Sequence, residues 1–347
     1  MNIATLHADL WQHLQARRGQ LPHALLLGGL RGLGKFALAR AFAASLLCER
    51  PQVGGEACAA CPACNWLAQG NHPDFRLLQP EAMAETEGEG EEGGKKASQQ
   101  ITIDQVRGLD DFLHVGTHRA GLRVILIHPA EAMNRNTANA LLKMLEEPAP
   151  ATLFLLVSHE PERLLPTIRS RCQSLPVPLP AADAAAAWLA DAGVADAGRW
   201  LALAGGAPLL AAELDGSGES RLIEALLEQL ARGPALDPLA AATVLDKVVK
   251  AEKGGGAAPM KRLIEWAQKW LFDLSLAAAH LPVRYFVGER TRIEQLAAAS
   301  DAARLLAFGR KSLQYRRHAE HPLNSRLFLE DFLLGYAALF APRQEGR

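Results

Sequence analysis

The sequence has no long apolar run and no marked excess of charge of one sign. No stretch reaches the roughly 18 consecutive apolar residues that a membrane-spanning helix needs. Residues 1–14 lack the basic start and apolar block of a secretory leader. We therefore expect a cytoplasmic protein with no membrane partner. The formal net charge of -1 excludes a globally basic nucleic-acid binder, so any contact with DNA should be shared with partner proteins.

The 347 residues, 49% of them hydrophobic, are enough for two or three domains with their own cores. Three apolar runs are typical of buried parallel strands, and the amphipathic stretch Asn136–Glu147 predicts a helix between the last two. This alternation predicts a doubly wound α/β domain. The three runs are Leu25–Leu27, Arg123–His128 and Thr152–Ser158. Weaker patterns predict a strand over Asp74–Gln79 and helices over Ile3–Ala16, Phe36–Leu47 and Ile101–Leu113.

A glycine-rich turn follows the first predicted strand and precedes a helix. Gly29, Gly34 and Lys35 fit the pattern G-x-x-x-x-G-K, in which backbone N–H groups and a lysine surround phosphate oxygens. The next residue departs from this pattern, because Phe36 stands where a Ser or Thr hydroxyl should hold Mg²⁺. The turn could still bind an anion, but we do not expect it to hydrolyse a nucleotide by the usual route.

A second departure lies after the strand RVILI. A nucleotide hydrolase of this type needs an Asp there for Mg²⁺ and usually an adjacent Glu for the attacking water. This chain has His128 and Pro129 at those places. Glu131 could compensate, although a carboxylate at a helix N-terminus is the simpler interpretation. The elements for metal and for water are therefore both missing.

Four of the five cysteines lie in one short segment: Cys48, Cys58, Cys61 and Cys64. Paired C-x₂-C turns place sulfurs on one tetrahedral ion, and we predict a structural zinc site with its fourth ligand at the end of the preceding helix. An iron–sulfur cluster or free redox thiols are the alternatives, although the C-x₃-C-P continuation of one cluster type is absent. With four protein ligands the metal would have no open position for chemistry.

Two other regions differ in composition from the α/β part. Residues 81–98 are acidic and glycine-rich, which predicts a mobile surface loop, with an acidic interaction tail as the alternative. From about Ala181 the strand signals end and the sequence predicts helices only, with breaks at Gly205–Pro208 and Gly254–Pro259. The last segment, Pro322–Phe340, carries apolar residues at helical spacing and predicts a packing face.

Several of these segments together resemble one family. They are HALLLGGLRGLGKFALARAFAASLLC, the cluster C-x₉-C-x₂-C-x₂-C, NRNTANALLKMLEEP, SHEPERLLPTIRSRC and the terminal HPLN and LFLEDFLLGY. The chain resembles the delta-prime family of bacterial DNA polymerase III clamp loaders, which are AAA+ proteins. The match spans nearly the whole chain, and the SRC segment is its most specific part.

The resemblance implies a RecA-like AAA+ P-loop domain over residues 1–178, with a zinc knuckle at 48–64 and the acidic loop at 81–98. A small helical lid over 179–212 and an all-α collar over 213–347 would follow. It also implies a heteropentamer with gamma/tau and delta subunits that loads the sliding clamp onto primer-template DNA. In that ring this chain would be an ATPase-inactive stator, and Arg171 would reach the ATP site of the adjacent gamma/tau subunit.

Two other functions fit less of the sequence. An active gamma/tau-like ATPase or a P-loop kinase would need a Ser or Thr at position 36 and an acidic pair after RVILI. A zinc-ribbon nucleic-acid module would need basic and aromatic residues among the cysteines, where there are only Arg50 and Trp66. The sequence therefore favours an interaction protein of the DNA-directed DNA polymerase III holoenzyme over an enzyme in its own right.

Overall fold

The computed structural model describes residues 3–84, 97–114, 117, 121–217, 219–252, 257–319 and 324–341. The chain divides into two compact units, Met1–Trp188 and Leu189–Arg347. The finer division into α/β domain, lid and collar stays a prediction. Most of the predicted acidic loop, residues 85–96, lies outside the described residues.

The first unit contains a five-stranded sheet with the strand order β2-β3-β4-β1-β5 and parallel pairing throughout. Every residue of β1, β3 and β4 is buried, as expected for strands covered on both faces. The predicted α/β class and its strands are therefore confirmed. The strands are β1 (Ala24–Gly28), β2 (Phe75–Leu78), β3 (Arg123–Ile127), β4 (Thr152–Ser158) and β5 (Gln173–Pro176).

The helices of this unit include all those predicted, with one difference near the start. The predicted helix over residues 3–16 is two helices, because His7 leaves the helical region with φ -121° and ψ 47°. Its imidazole Nε2 instead contacts the carbonyl oxygen of Leu33 at 2.6 Å. The helices are α1 (Ile3–Leu6), α2 (Ala8–Ala16), α3 (Lys35–Leu47), α4 (Pro62–Ala68), α5 (Glu81–Ala84), α6 (Ile103–His114), α7 (Arg135–Glu146) and α8 (Pro166–Arg169), followed by α9 (Ala182–Asp191), which spans the boundary between the units.

The side chain of Asn134 fixes the start of helix α7. The Asn134 side chain accepts a hydrogen bond from the backbone N–H of Thr137 at 3.0 Å, which satisfies one of the free donors of the first turn. The helix then buries its apolar face, including Leu141 and Leu145, in the same core as β3 and β4. This packing fixes the direction of α7 and the position of its last residue, Glu146.

In the described residues that follow α9, every element of regular secondary structure is a helix, as predicted. Its core includes Trp270, whose indole N–H donates to the hydroxyl of Tyr336 at 3.0 Å, and that hydroxyl donates to the carbonyl of Leu230 at 2.8 Å. In the described ranges, no helix is both long enough and apolar enough to cross a bilayer. The helices are α10 (Ala197–Leu203), α11 (Pro208–Gly216), α12 (Glu219–Leu230), α13 (Pro238–Ala251), α14 (Ala257–Ala278), α15 (Arg290–Ala299), α16 (Ala302–His318) and α17 (Ser325–Ala337).

Candidate functional site

The glycine-rich turn lies between β1 and α3, at the carboxyl end of a strand inside the sheet. Gly29, Gly32 and Gly34 all have positive φ angles, of 150°, 81° and 78°. A Cβ at Gly29 would approach the carbonyl oxygen of Val177 to 2.9 Å, so a side chain there would force the loop away from β5. The glycines of the predicted phosphate loop are thus required by the backbone.

Lys35 is buried at the start of α3, with 1% of its surface exposed. Its ammonium group donates hydrogen bonds to the carbonyl oxygens of Gly29 at 2.7 Å and Leu30 at 2.5 Å. Burial lowers the pKa of Lys35 to about 8, and the nearby Glu131 carboxylate opposes this shift. In this arrangement the lysine binds the carbonyls of its own loop.

Phe36 stacks on His128, with ring centroids 4.5 Å apart and an angle of 20° between the rings. His128 also meets His159 edge to face at 5.3 Å. These rings come from α3 and from the residues directly after β3 and β4. The positions at which a hydrolase would place a hydroxyl and a carboxylate for Mg²⁺ therefore hold an aromatic stack.

Glu131 lies beside this stack and contacts the end of β4. Its Oε1 accepts a hydrogen bond from the backbone N–H of His159 at 2.8 Å. Among the described residues its buried Oε2 has no hydrogen-bond partner, and the same holds for Nδ1 of His128 and of His159. The carboxylate thus caps a strand end, and it neighbours Lys35 closely enough to influence the pKa of that residue.

Both histidines of the stack are poor bases. Burial, together with the neighbouring His159 and Lys35, lowers the pKa of His128 to about 4. Burial likewise lowers the pKa of His159 to about 4, with Lys35 adding to the effect. Both rings are therefore neutral at pH 7, and a neutral ring stacks on Phe36 without the cost of burying a charge.

The four clustered cysteines converge as the spacing predicted. Their sulfur atoms all lie within 4.8 Å of one another, with Cys48 and Cys61 at 3.9 Å and Cys58 and Cys64 at 4.0 Å. Four thiolates around a zinc ion at Zn–S distances of about 2.3 Å have sulfurs roughly 3.8 Å apart. The donor set and its spacing therefore fit a tetrahedral metal such as zinc.

The local backbone fixes these sulfurs. Cys48 follows the last residue of α3 and Cys61 is the N-cap of α4. Backbone N–H groups of Cys58, Cys61 and Cys64 donate to the sulfurs of Cys48, Cys58 and Cys61 at 3.3, 3.3 and 3.5 Å. Such bonds stabilise thiolates: the N–H groups of Ala60 and Cys61 lower the pKa of Cys58 to about 6.

Arg171 lies two residues after α8, at the surface of the first unit. Its Nη2 forms an ion pair with Oε1 of Glu146 at 2.6 Å, and the two side chains are 34% and 50% exposed. Its Nη1 donates to the carbonyl of Thr167 at 2.9 Å and contacts the Ser170 hydroxyl at 3.4 Å. The predicted arginine is thus accessible and paired within its own chain.

The structure brings Gly29, Gly34 and Lys35 together in one loop and assembles the four cysteines elsewhere on the same unit. Sequence reasoning missed His159 and Glu146. His159 could have been found, because it directly follows β4, which lies between β1 and β3 in the sheet. No local signal indicated that Glu146 would meet Arg171, since the two are far apart in the chain.

The comparisons with known proteins agree on one family. A family model described as DNA polymerase III, delta subunit, matches residues 6–180. DNA polymerase III subunit delta' of Pseudomonas aeruginosa is 38% identical over 96% of this chain and 97% of its own length. The corresponding Escherichia coli subunit is 38% identical over 50% of this chain and 47% of its own, and the E. coli tau subunit is 33% identical over 44% and 21%.

The first of these relatives aligns along almost its entire length, which confirms the resemblance seen in the sequence. The parallel sheet confirms the predicted α/β class, and the chain is a subunit of the DNA polymerase III holoenzyme. This chain belongs to the delta-prime family of DNA polymerase III clamp-loader subunits.

Proposed function

We propose that this chain serves the clamp loader without hydrolysing ATP. The observation that carries the proposal is the stack of Phe36 on His128 at 4.5 Å. Phosphoryl transfer depends on Mg²⁺ held by a loop hydroxyl and on an acidic group that holds the metal through water. A phenyl ring offers no ligand, and a buried neutral imidazole is a poor substitute for a carboxylate toward this hard cation.

Lys35 supports the same proposal. Its ammonium group gives two of its three N–H donors to the carbonyls of Gly29 and Leu30, which leaves one donor for a phosphate oxygen. Weak binding of phosphate or nucleotide by the loop is compatible with the proposal. Hydrolysis of ATP by the loop is not.

The test is ATP hydrolysis by the purified chain with Mg²⁺. We expect no turnover above background, and no gain in the Phe36→Thr variant, because the carboxylate is still missing at His128. The double variant Phe36→Thr/His128→Asp is the informative comparison, since it supplies both ligand types. Magnesium-dependent hydrolysis by the unaltered chain that disappears in Lys35→Ala would overturn the proposal and favour the active gamma/tau-like alternative.

The metal of the knuckle is in this proposal a structural zinc ion held by Cys48, Cys58, Cys61 and Cys64. Sulfur–sulfur distances of 3.9 Å (Cys48 to Cys61) and 4.0 Å (Cys58 to Cys64), with all four sulfurs within 4.8 Å of one another, support tetrahedral coordination. Four protein ligands leave no position for a substrate, so the ion would stabilise the segment between α3 and α4. We assign no nucleic-acid binding to the knuckle, because the only basic and aromatic residues between Cys48 and Gly70 are Arg50 and Trp66.

We further propose that Arg171 acts on the ATP of a neighbouring gamma/tau subunit. Its exposed position after α8 supports this role, since a guanidinium delivered across an interface can stabilise charge on the γ-phosphate. The assembly would be a cytoplasmic heteropentamer with gamma/tau and delta, and this chain would be its stator during loading of the sliding clamp onto primer-template DNA. The relatives named tau and delta' support membership of a clamp-loader complex.

Arg171→Ala in the reconstituted complex tests this role. We expect unchanged assembly and a partial loss of ATPase activity stimulated by clamp and DNA, because one site loses its cation while the others keep theirs. Arg171→Lys should restore little, since an ammonium lacks the planar fork of donors. Arg163→Ala is the matched control, because it also breaks an exposed ion pair, with Glu160 at 3.2 Å. Wild-type activity in Arg171→Ala would refute the role.

A further inference from the structure

We propose that Glu146 is a positioning residue that holds the Arg171 guanidinium on its own chain and competes with the neighbouring subunit's nucleotide for it. The inference rests on the proposed role of Arg171 and adds a second residue to it. Glu146 would set how readily the arginine becomes available, without contacting the nucleotide itself.

The geometry engages both ends of the guanidinium fork. Nη2 pairs with Glu146 at 2.6 Å, and Nη1 bonds to the carbonyl of Thr167 at 2.9 Å. A bidentate contact with phosphate oxygens needs two adjacent N–H donors of one guanidinium. One N–H on each terminal nitrogen is thus held by an acceptor of its own chain, and Glu146, as the charged acceptor, is the one that competes with a phosphate for the guanidinium.

Rigid elements hold the two partners opposite each other. Glu146 is the last residue of α7, and its neighbours Met144 and Leu145 are buried in the core of the first unit. Arg171 lies next to Cys172, which is buried in the same core. Because both backbones are anchored, the two side chains stay within reach of each other. Side-chain rotation alone is enough to form or break the ion pair.

The position of Glu146 also favours a cationic partner. A carboxylate in the last turn of a helix is repelled by the negative end of the helix dipole. The next residue, Glu147, is also acidic and exposed, and it makes no ion pair with any residue that the structure describes. Arg171 therefore neutralises one of two adjacent carboxylates at an unfavourable place, and Glu147 offers a matched control that lacks the contact.

The pair is exposed enough to exchange. Ion pairs at such exposure change equilibria by roughly 1.4-fold to fivefold. Removing the charge of Glu146 should therefore shift Arg171 toward the phosphate by a factor in this range, with little effect on folding. We expect Glu146→Gln to lower the ATP concentration for half-maximal activity at the adjacent site by about two- to fivefold.

The experiment uses the reconstituted complex with four variants of this chain: Glu146→Gln, Glu147→Gln, Arg171→Ala and the double variant Glu146→Gln/Arg171→Ala. ATPase activity is measured against ATP concentration, and the thermal unfolding of each isolated chain is recorded. Glu146→Gln should lower the half-saturating ATP concentration, Glu147→Gln should match wild type, and the double variant should match Arg171→Ala. A purely structural ion pair would change unfolding but leave the ATP dependence unaltered.

Each failure points to a different step. If Glu146→Gln behaves like Glu147→Gln while Arg171→Ala loses activity, the role of Arg171 stands and the competition by Glu146 is wrong. If Glu146→Gln still shifts the ATP dependence in the Arg171→Ala background, Glu146 acts through another residue and the inference fails. If Arg171→Ala has no effect, the proposed function of Arg171 fails and the inference fails with it.

Discussion

The His128 ring should make the stability of the α/β unit depend on pH in a specific direction. Burial lowers the pKa of His128 to about 4 in the folded chain, against about 6.5 in the unfolded chain. As pH falls below 6.5, the unfolded chain takes up a proton that the folded chain does not. The free energy of unfolding therefore decreases as pH falls from 6.5 to 4.

The size of this effect follows from the two pKa values. Between pH 7.5 and pH 5, this one ring lowers the free energy of unfolding by on the order of 2 kcal/mol. Burial also lowers the pKa of His159, so the two rings both contribute to the loss of stability at low pH. The variant His128→Phe keeps an aromatic ring against Phe36 but cannot be protonated.

The assay is unfolding of the purified chain at pH 7.5 and pH 5, followed by circular dichroism. The loss of stability on acidification should be smaller in His128→Phe by about 2 kcal/mol, and the exposed His13→Gln should behave like wild type. Direct NMR titration of the ring provides a second measurement. Equal acid sensitivity of His128→Phe and wild type, or a ring that titrates near its ordinary pKa, would refute the argument.

Three further predictions follow from single contacts. Cys61→Ser should lower the zinc content below one per chain and reduce amide protection in α4, because metal binding energy here is folding energy; iron in protein purified without oxygen would contradict it. Asn134→Ala should cost about 1 kcal/mol in unfolding free energy by removing the cap of α7, and Asn134→Asp should not. Asp273→Ala should lower the unfolding free energy by more than about 3 kcal/mol, since this buried carboxylate accepts hydrogen bonds from the backbone N–H groups of Arg284, Tyr285 and Phe286. A loss as small as that for an exposed aspartate would show that water takes the place of the carboxylate.

Much of the fold could be predicted because its signals are local. Continuous apolar runs marked β1, β3 and β4, and the amphipathic stretch Asn136–Glu147 marked α7 to within a residue at each end. The exception was the first helix, which ends at His7 because that side chain bonds to Leu33, a partner distant in sequence. A tertiary contact there overrides the local helical pattern.

The sequence by itself determined the glycine loop, the cysteine spacing and the two replacements at Phe36 and His128, because each depends on residue type at a fixed separation along the chain. Only the tertiary structure decided that these two rings stack, since α3 and the end of β3 come together through the order of strands in the sheet. The pairing of Arg171 with Glu146 has the same origin. Side chains on different elements meet because a buried core orients their backbones, and no periodicity along the sequence encodes that meeting.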